Sequence, residues 1–255
     1  MSWPTWTLDA LSSERRRLSG RCWRVVEAQH RVSTMKLVDS VAQQDLLERT
    51  LEQTKPPVPA GCRHLHYLLS TPFRYGAPYP RGSRFRRAGP TRGVFYGSRT
   101  PTTAVAEMAF HRLLFFAESP RTPWPPNAGE FTAFAVDLRT RSALDLTSPP
   151  FVAHRQHWTS RTDYAASQEL ADQGRAAGVE VIKYESARDA ARGVNLAVLD
   201  CRPFTSPQPI ERQTWRIDLG PSGVRALCAF PETRLEFERA AFADDPRIAA
   251  LMWDR

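Results

Sequence analysis

The sequence predicts an α+β fold: one domain with a mixed, largely antiparallel sheet core and flanking helices. Three observations carry this. Strand signals outnumber helix signals in the second half of the chain, and successive strands there lack the helical crossovers that a doubly wound sheet requires. No Pro/Gly/Ser-rich linker divides the 255 residues into dissimilar halves. The 42% apolar content is enough to fill one sizeable core. No internal repeat or low-complexity tract is present.

Residues 1–36 are mixed and give no clear element. Residues 40–52 read as a helix. Ser40 and Gln43 make a capping-box pattern, Val41, Leu47 and Leu51 are available to pack, and Pro56, Pro57 and Pro59 end it. Residues 71–93 read as loop, punctuated by Pro72, Pro78, Pro80, Pro90 and several glycines. A short strand is expected at 94–97. Thr100 then serves as N-cap and Pro101 as first helical residue of a helix reaching about Phe116. A strand follows at 131–138. Thr162 or Asp163 caps a helix that ends at Gly178, a residue suited to the left-handed C-terminal position. Further strands are expected at 179–184, 194–199, 215–219 and 224–230.

The formal net charge is +8, and Lys36, Lys55 and Lys183 are the only lysines among 35 basic residues. Arginine suits a bidentate grip on phosphate or carboxylate, so a polyanionic ligand or an acidic partner fits, as does a genomic base-composition bias. Cys22, Cys62, Cys201 and Cys228 show no metal-ligand spacing. Residues 1–7 lack a basic stretch followed by an apolar one, so reduced thiols and a cytoplasmic location are expected. The apolar run 113–117 is far too short for a membrane span.

Three segments could carry chemistry. Arg81, Arg84, Arg86, Arg87, Arg92 and Arg99 fall in one stretch with no acid among them, which invites a diphosphate, a nucleic-acid backbone or an acidic protein. In the strand–turn–helix of 94–107, Tyr96 and Glu107 could meet at one cleft. Glu107 sits among Ala104, Val105, Ala106, Met108, Ala109 and Phe110, where a buried carboxylate needs a partner. Last, Ser186 lies in Tyr184-Glu185-Ser186-Ala187-Arg188-Asp189, at a strand end, followed by Gly193-Val194-Asn195. Alone, that turn reads as Ser186, Asp189 and Asn195 making local hydrogen bonds. The pairs His64/His66 and His154/His157 lack carboxylate or cysteine companions, so no metal is expected. There is no G-x-S-x-G, P-loop or G-x-G-x-x-G motif.

In this order the three segments resemble the RES domain family, from about Cys22-Trp23-Arg24-Val25-Val26 to the strand near Trp215. The resemblance divides the chain into an N-terminal extension (1–20), a RES-like NAD-processing domain (21–240) and a C-terminal tail (241–255). It aligns Arg84 with the family's loop arginine, Tyr96 with its tyrosine, Glu107 with its glutamate and Ser186 with its serine. The family's loop tryptophan and asparagine are Phe85 and Arg86 here, so Arg84 and Arg86 both stand as the functional arginine.

What the resemblance implies is an ADP-ribosyltransferase-like fold and a toxin that consumes NAD⁺ by hydrolysis, phosphorolysis or ADP-ribosyl transfer. It implies no cofactor and no metal, NAD⁺ being the substrate. A cognate Xre-type helix-turn-helix antitoxin would be the partner. Inorganic phosphate is an admissible acceptor, and a homodimer within a larger toxin–antitoxin complex an admissible assembly. In that reading Glu107 stabilises the oxocarbenium-like ribose and Arg84, or Arg86, grips the diphosphate. Tyr96 packs on the nicotinamide or its ribose, and Ser186 orients that ribose. Nicotinamide leaves as a neutral molecule, so one carboxylate suffices where a glycosidase needs two. The alternative is a basic protein without catalysis, binding either an antitoxin or nucleic acid, with Phe85, Phe95 and Tyr96 as stacking platforms.

Overall fold

A computed structural model describes residues 5–28, 37–74 and 82–254. Arg81, Pro78 and Pro80, named above, lie outside the described residues. The chain folds as a single α+β domain. Its strands are β1 (Arg16–Glu27), β2 (Phe95–Ser98), β3 (Gly129–Asp145), β4 (Val181–Glu185), β5 (Val194–Val198), β6 (Glu211–Gly220), β7 (Gly223–Cys228) and β8 (Thr233–Glu238). Its α-helices are α1 (Leu8–Ser13), α2 (Val41–Thr54), α3 (Tyr67–Ser70), α4 (Pro101–Glu118), α5 (Arg155–Trp158), α6 (Ala165–Ala176) and α7 (Pro246–Ala249).

The sheet order is β1-β2-β5-β4-β3-β6-β7-β8, with an added β1–β3 pairing. That pairing closes β1, β2, β5, β4 and β3 into a ring. The long β3 makes this possible. One of its edges carries β1; the other pairs with β6 through residues 129–135 and with β4 through 143–145. Among the described residues only the β3–β4 pairing is parallel and the rest are antiparallel, in keeping with the mixed, largely antiparallel sheet expected from the sequence.

Strand alternation sorts side chains into layers. Cys22, Phe95, Phe134, Val136, Val181, Leu196 and Val198 fill the ring. Outside it, α4 lays Val105, Ala109, Phe110, Leu113 and Phe116 against Trp23, Val25, Phe131, Trp215 and Ile217. A second outer layer packs Leu170 and Ala171 of α6 and Leu11 of α1 against Ile182, Tyr184 and Ala197. Gly97 lets β2 approach β1: a Cβ there would stand 2.5 Å from Cys22 Sγ and 2.7 Å from the Trp23 carbonyl.

Helix α2 is capped by Ser40 as expected, but it does not pack as expected. Val41 and Leu51 are exposed and Leu47 is only half-buried, and the helix is tethered through the Glu52–Arg74 ion pair. Helix α6 starts at Ala165, where Asp163 Oδ1 accepts from the Ala165 N–H, and Gly178 takes φ +74° after its end. The boundary at 20/21 cuts through β1. Beyond 240, Phe242, Ile248 and Leu251 enter the core, so this segment is docked rather than a free tail.

The expectation of four reduced thiols fails for one pair. The turn after β5 brings Cys201 to the short turn at Ala60–Cys62, and Cys62 and Cys201 form a disulfide with Cα atoms 5.6 Å apart. Cys22 and Cys228 are free and buried. No described helix is long and apolar enough to cross a membrane.

Candidate active site

The site sits on the outer face of β2, β5 and β4, under α4. The register sets it. Ser98 on β2 pairs with Asn195 on β5, which pairs with Tyr184 on β4, so these three side chains form one row across the sheet. Tyr96 and Ala197 occupy the next row on the same face. Helix α4 begins where the sequence says, with Thr100 Oγ1 accepting from the Thr103 N–H and Pro101 at its first position. This start aims Glu107, in the second turn, at the row.

Glu107 Oε1 accepts two hydrogen bonds, from Ser186 Oγ at 2.6 Å and from Asn195 Nδ2 at 2.5 Å. Asn195 Oδ1 in turn accepts from Ser98 Oγ at 2.6 Å. Ser186 Oγ also accepts the backbone N–H groups of Arg188 (3.1 Å) and Asp189 (3.0 Å), which closes the turn after β4. One carboxylate oxygen is therefore fixed from two sides by buried groups. The serine spends its hydroxyl on that task, so it orients Glu107 rather than presenting a free hydroxyl.

Tyr184, 5% exposed, lies beneath. Burial raises its phenol well above the ordinary value, and the charge of Glu107 and the neighbouring Tyr96 add to that. His111 is one turn beyond Glu107 on α4. Its side chain is exposed at the cleft, yet partial desolvation and the charges of Arg188, Arg247 and Arg24 outweigh the pull of Glu107 and hold its imidazole below the ordinary value.

Arg84 is buried, at 9% exposure. Its Nη1 donates to the Trp158 carbonyl at 2.6 Å, and its Cζ lies 4.9 Å from the Tyr164 ring centroid and 5.9 Å from that of Tyr184. Arg86 turns the other way, donating to Thr91 Oγ1 (3.2 Å) and the Thr91 carbonyl (3.0 Å). Arg87 binds Asp172 and Glu169 of α6. Within this loop Arg87 thus has acidic partners, and those lie far along the chain, while Arg84 and Arg86 donate to uncharged groups. Tyr96 Oη accepts from the Phe85 N–H and hydrogen-bonds Ser83 Oγ, both at 2.9 Å, so it anchors the loop that carries Arg84.

The structure thus joins Glu107 and Ser186 directly. Arg84 reaches them through Tyr184, Tyr96 braces the Arg84 loop, and Arg86 stands apart. Sequence reasoning took Asn195 for a turn residue and missed Ser98, His111 and Tyr164. It also missed Arg24, whose Nη1 donates to the Tyr96 carbonyl at 2.7 Å. A polar residue inside the apolar strand Val194–Val198 was the available signal for Asn195. The stacking platforms of the nucleic-acid alternative are not surface features: Phe85 and Phe95 are 1% and 0% exposed.

Beside Ser186 opens a cavity of about 450 Å³, bordered by Arg155, Arg161, Arg188 and Arg192 with Glu185 and Asp244. Among the described residues no group of three or more His, Cys, Asp or Glu side chains could hold a metal ion.

Fold and site define an α+β domain that fixes a single carboxylate above a tyrosine- and arginine-lined cleft. The chain matches the RES domain over residues 58–220, more than half its length, and it belongs to the RES domain family. A chain of the crystal structure of the M. tuberculosis MbcT–MbcA toxin–antitoxin complex superposes with a TM-score of 0.46 at 14% identity, covering 80% of this chain and 89% of that one. No curated protein sequence shows significant similarity to the chain.

Proposed function

We propose that this protein is a toxin of a toxin–antitoxin pair that breaks the nicotinamide–ribose bond of NAD⁺. The observation that carries the reading is the double hydrogen bond that fixes Glu107 Oε1. Such clamping leaves the other carboxylate oxygen, Oε2, as the group to face a ribose. Membership of the RES domain family supports the same assignment.

When the C1′–N bond breaks, its electron pair moves onto the pyridinium nitrogen and nicotinamide leaves neutral. Positive charge then grows on the ribose ring. A preorganised carboxylate stabilises that charge where it develops and needs no reorganisation to do so. The unused donors of Arg84 suit one phosphate of the diphosphate, and the arginine-bordered cavity beside Ser186 is large enough for a further part of the dinucleotide. The carbocation-like carbon then accepts water, inorganic phosphate or a protein side chain. No step needs a metal. The toxin would work in the cytoplasm, where its substrate is, and be held by an Xre-type antitoxin.

Induced expression in a bacterium tests this. Growth should stop and cellular NAD⁺ should fall with the native chain and not with Glu107→Gln. Growth arrest of equal depth with both, at unchanged NAD⁺, would refute the reading.

A further inference from the structure

The turn that presents Ser186 to Glu107 is tied to a part of the chain that lies outside the region matched by the family, residues 58–220. The tie is Arg188. Its backbone N–H donates to Ser186 Oγ at 3.1 Å, and its side chain runs back into the protein. There Nη1 donates to Asp245 Oδ2 at 2.7 Å, with the two side chains 5% and 1% exposed. Nη2 donates to the Arg161 carbonyl at 2.6 Å and contacts Tyr164 Oη at 3.3 Å. The guanidinium carbon lies 3.6 Å from the ring centroid of Phe110, three residues beyond Glu107 on α4.

We propose that Asp245, acting through Arg188, is a positioning residue for the site, so that the C-terminal segment sets the Ser186 turn against Glu107. The inference rests on reading Glu107 and Ser186 as the reacting centre. Apolar packing of Phe242, Ile248 and Leu251 would be enough to dock the segment. A buried ion pair adds little to docking, because its desolvation cost offsets much of its attraction, but it fixes direction. Here the direction is unusually well determined. Asp245 caps α7, with Oδ1 accepting from the Arg247 N–H at 3.0 Å and from Arg247 Nε at 2.9 Å. The carboxylate cannot swing without giving up the cap. Arg188 has a planar fork of donors shared among Asp245, the Arg161 carbonyl and Tyr164, and a rigid fork held at several points cannot rotate. The fork is six bonds from the Arg188 amide, and with the side chain pinned at Asp245, the Arg161 carbonyl and the Phe110 ring the amide is held on Ser186 Oγ, and Ser186 on Glu107. Tyr164, which also lies under Arg84, carries the same restraint across the cleft.

Amide hydrogen exchange on the full chain reads the turn without any assumption about activity. In the native protein the Arg188 and Asp189 amides should exchange as slowly as the core amides of β3 and β6. In Asp245→Asn, exchange across residues 186–192 should quicken roughly 10-fold or more while β3 and β6 keep their protection. Nicotinamide release should fall by a comparable factor in kcat, with KM for NAD⁺ moving far less. Arg188→Lys keeps the charge and loses the fork. It should show the same pattern and serves if Asp245→Asn does not fold. Rapid native exchange at Arg188 and Asp189, or a folded variant with unchanged exchange at 186–192, overturns the proposal. A native protein that releases no nicotinamide refutes the reading of the site, and the exchange measurements still decide the positioning role.

Discussion

Replacing Glu107 with glutamine changes one atom and one charge, and the structure says how the new side chain must sit. Ser186 Oγ and Asn195 Nδ2 both donate to Oε1. Ser186 Oγ already accepts two backbone N–H groups, and Asn195 Oδ1 already accepts from Ser98. Neither neighbour can rearrange cheaply to accept from an amide, so the glutamine carbonyl takes the Oε1 place and its NH₂ faces the cleft. Two hydrogen bonds survive and the negative charge is lost. Loss of one preorganised electrostatic stabiliser slows the chemical step by roughly 10²–10³-fold, or about 3–4 kcal/mol of activation free energy. NAD⁺ affinity should change far less, because the ground-state cation resides on the nicotinamide ring. Folding should hold, since an amide is less costly than a carboxylate in a half-buried position. The assay is nicotinamide release under saturating NAD⁺, with binding and thermal melting of the same sample. Near-native turnover in a folded Glu107→Gln protein would refute the argument.

Other expected outcomes follow from the same geometry. Asn195→Ala removes a donor from Glu107 and leaves the buried Ser98 hydroxyl without its acceptor. It should lower stability by about 1–3 kcal/mol, read by urea unfolding, and should also reduce turnover. Arg84→Ala should raise the NAD⁺ concentration needed for half-maximal rate more than Arg86→Ala does, because Arg84 stands beside Tyr184 and Arg86 beside Thr91; steady-state kinetics of the two variants decide. Asp245 is fully buried. Burial alone would raise its carboxyl, but hydrogen bonds from Arg247 and the charges of Arg188 and Arg247 prevail and hold it at about 2, against an ordinary 3.8. Its contribution, about 2 kcal/mol, is fully present above 3.8 and is lost as pH falls through about 2, so the native protein should lose more stability across that window than Asp245→Asn does. Burial pushes the Cys22 thiol up to about 12, so it should resist alkylation in the native state. After unfolding without reductant Cys22 and Cys228 should label, and Cys62 and Cys201 only once reductant is added.

The elements read from the sequence were those with local signals. Helix α4 carries its own cap and proline, and β3 to β7 are apolar enough to stand out. Strand β1 did not, because beyond the cover of α4 its outward positions are Arg17, Ser19 and Arg21, and Gly20 interrupts it. Strand β8 is a half-exposed edge with charge at every second residue, Arg234, Glu236 and Glu238. Glu107 and Ser186 were legible as separate oddities, but their contact depends on the sheet register that puts Asn195 between Ser98 and Tyr184. Asn195 looked like a turn residue for lack of that register. The Arg188–Asp245 pair joins residues 57 positions apart, and no spacing rule anticipates it. The arginine-rich loop misled because the acids that take up Arg87, Glu169 and Asp172, are on a helix some 80 residues later, and Arg86 is spent on Thr91 within the loop.

Incubation of the purified full chain with NAD⁺ and a chelator asks whether the clamped carboxylate breaks the nicotinamide–ribose bond. Free nicotinamide should be released with time in the presence of the chelator, and Glu107→Gln should be slower by roughly 10²–10³-fold. No nicotinamide from a folded native protein, or release that stops with the chelator and returns with a divalent ion, would contradict that role.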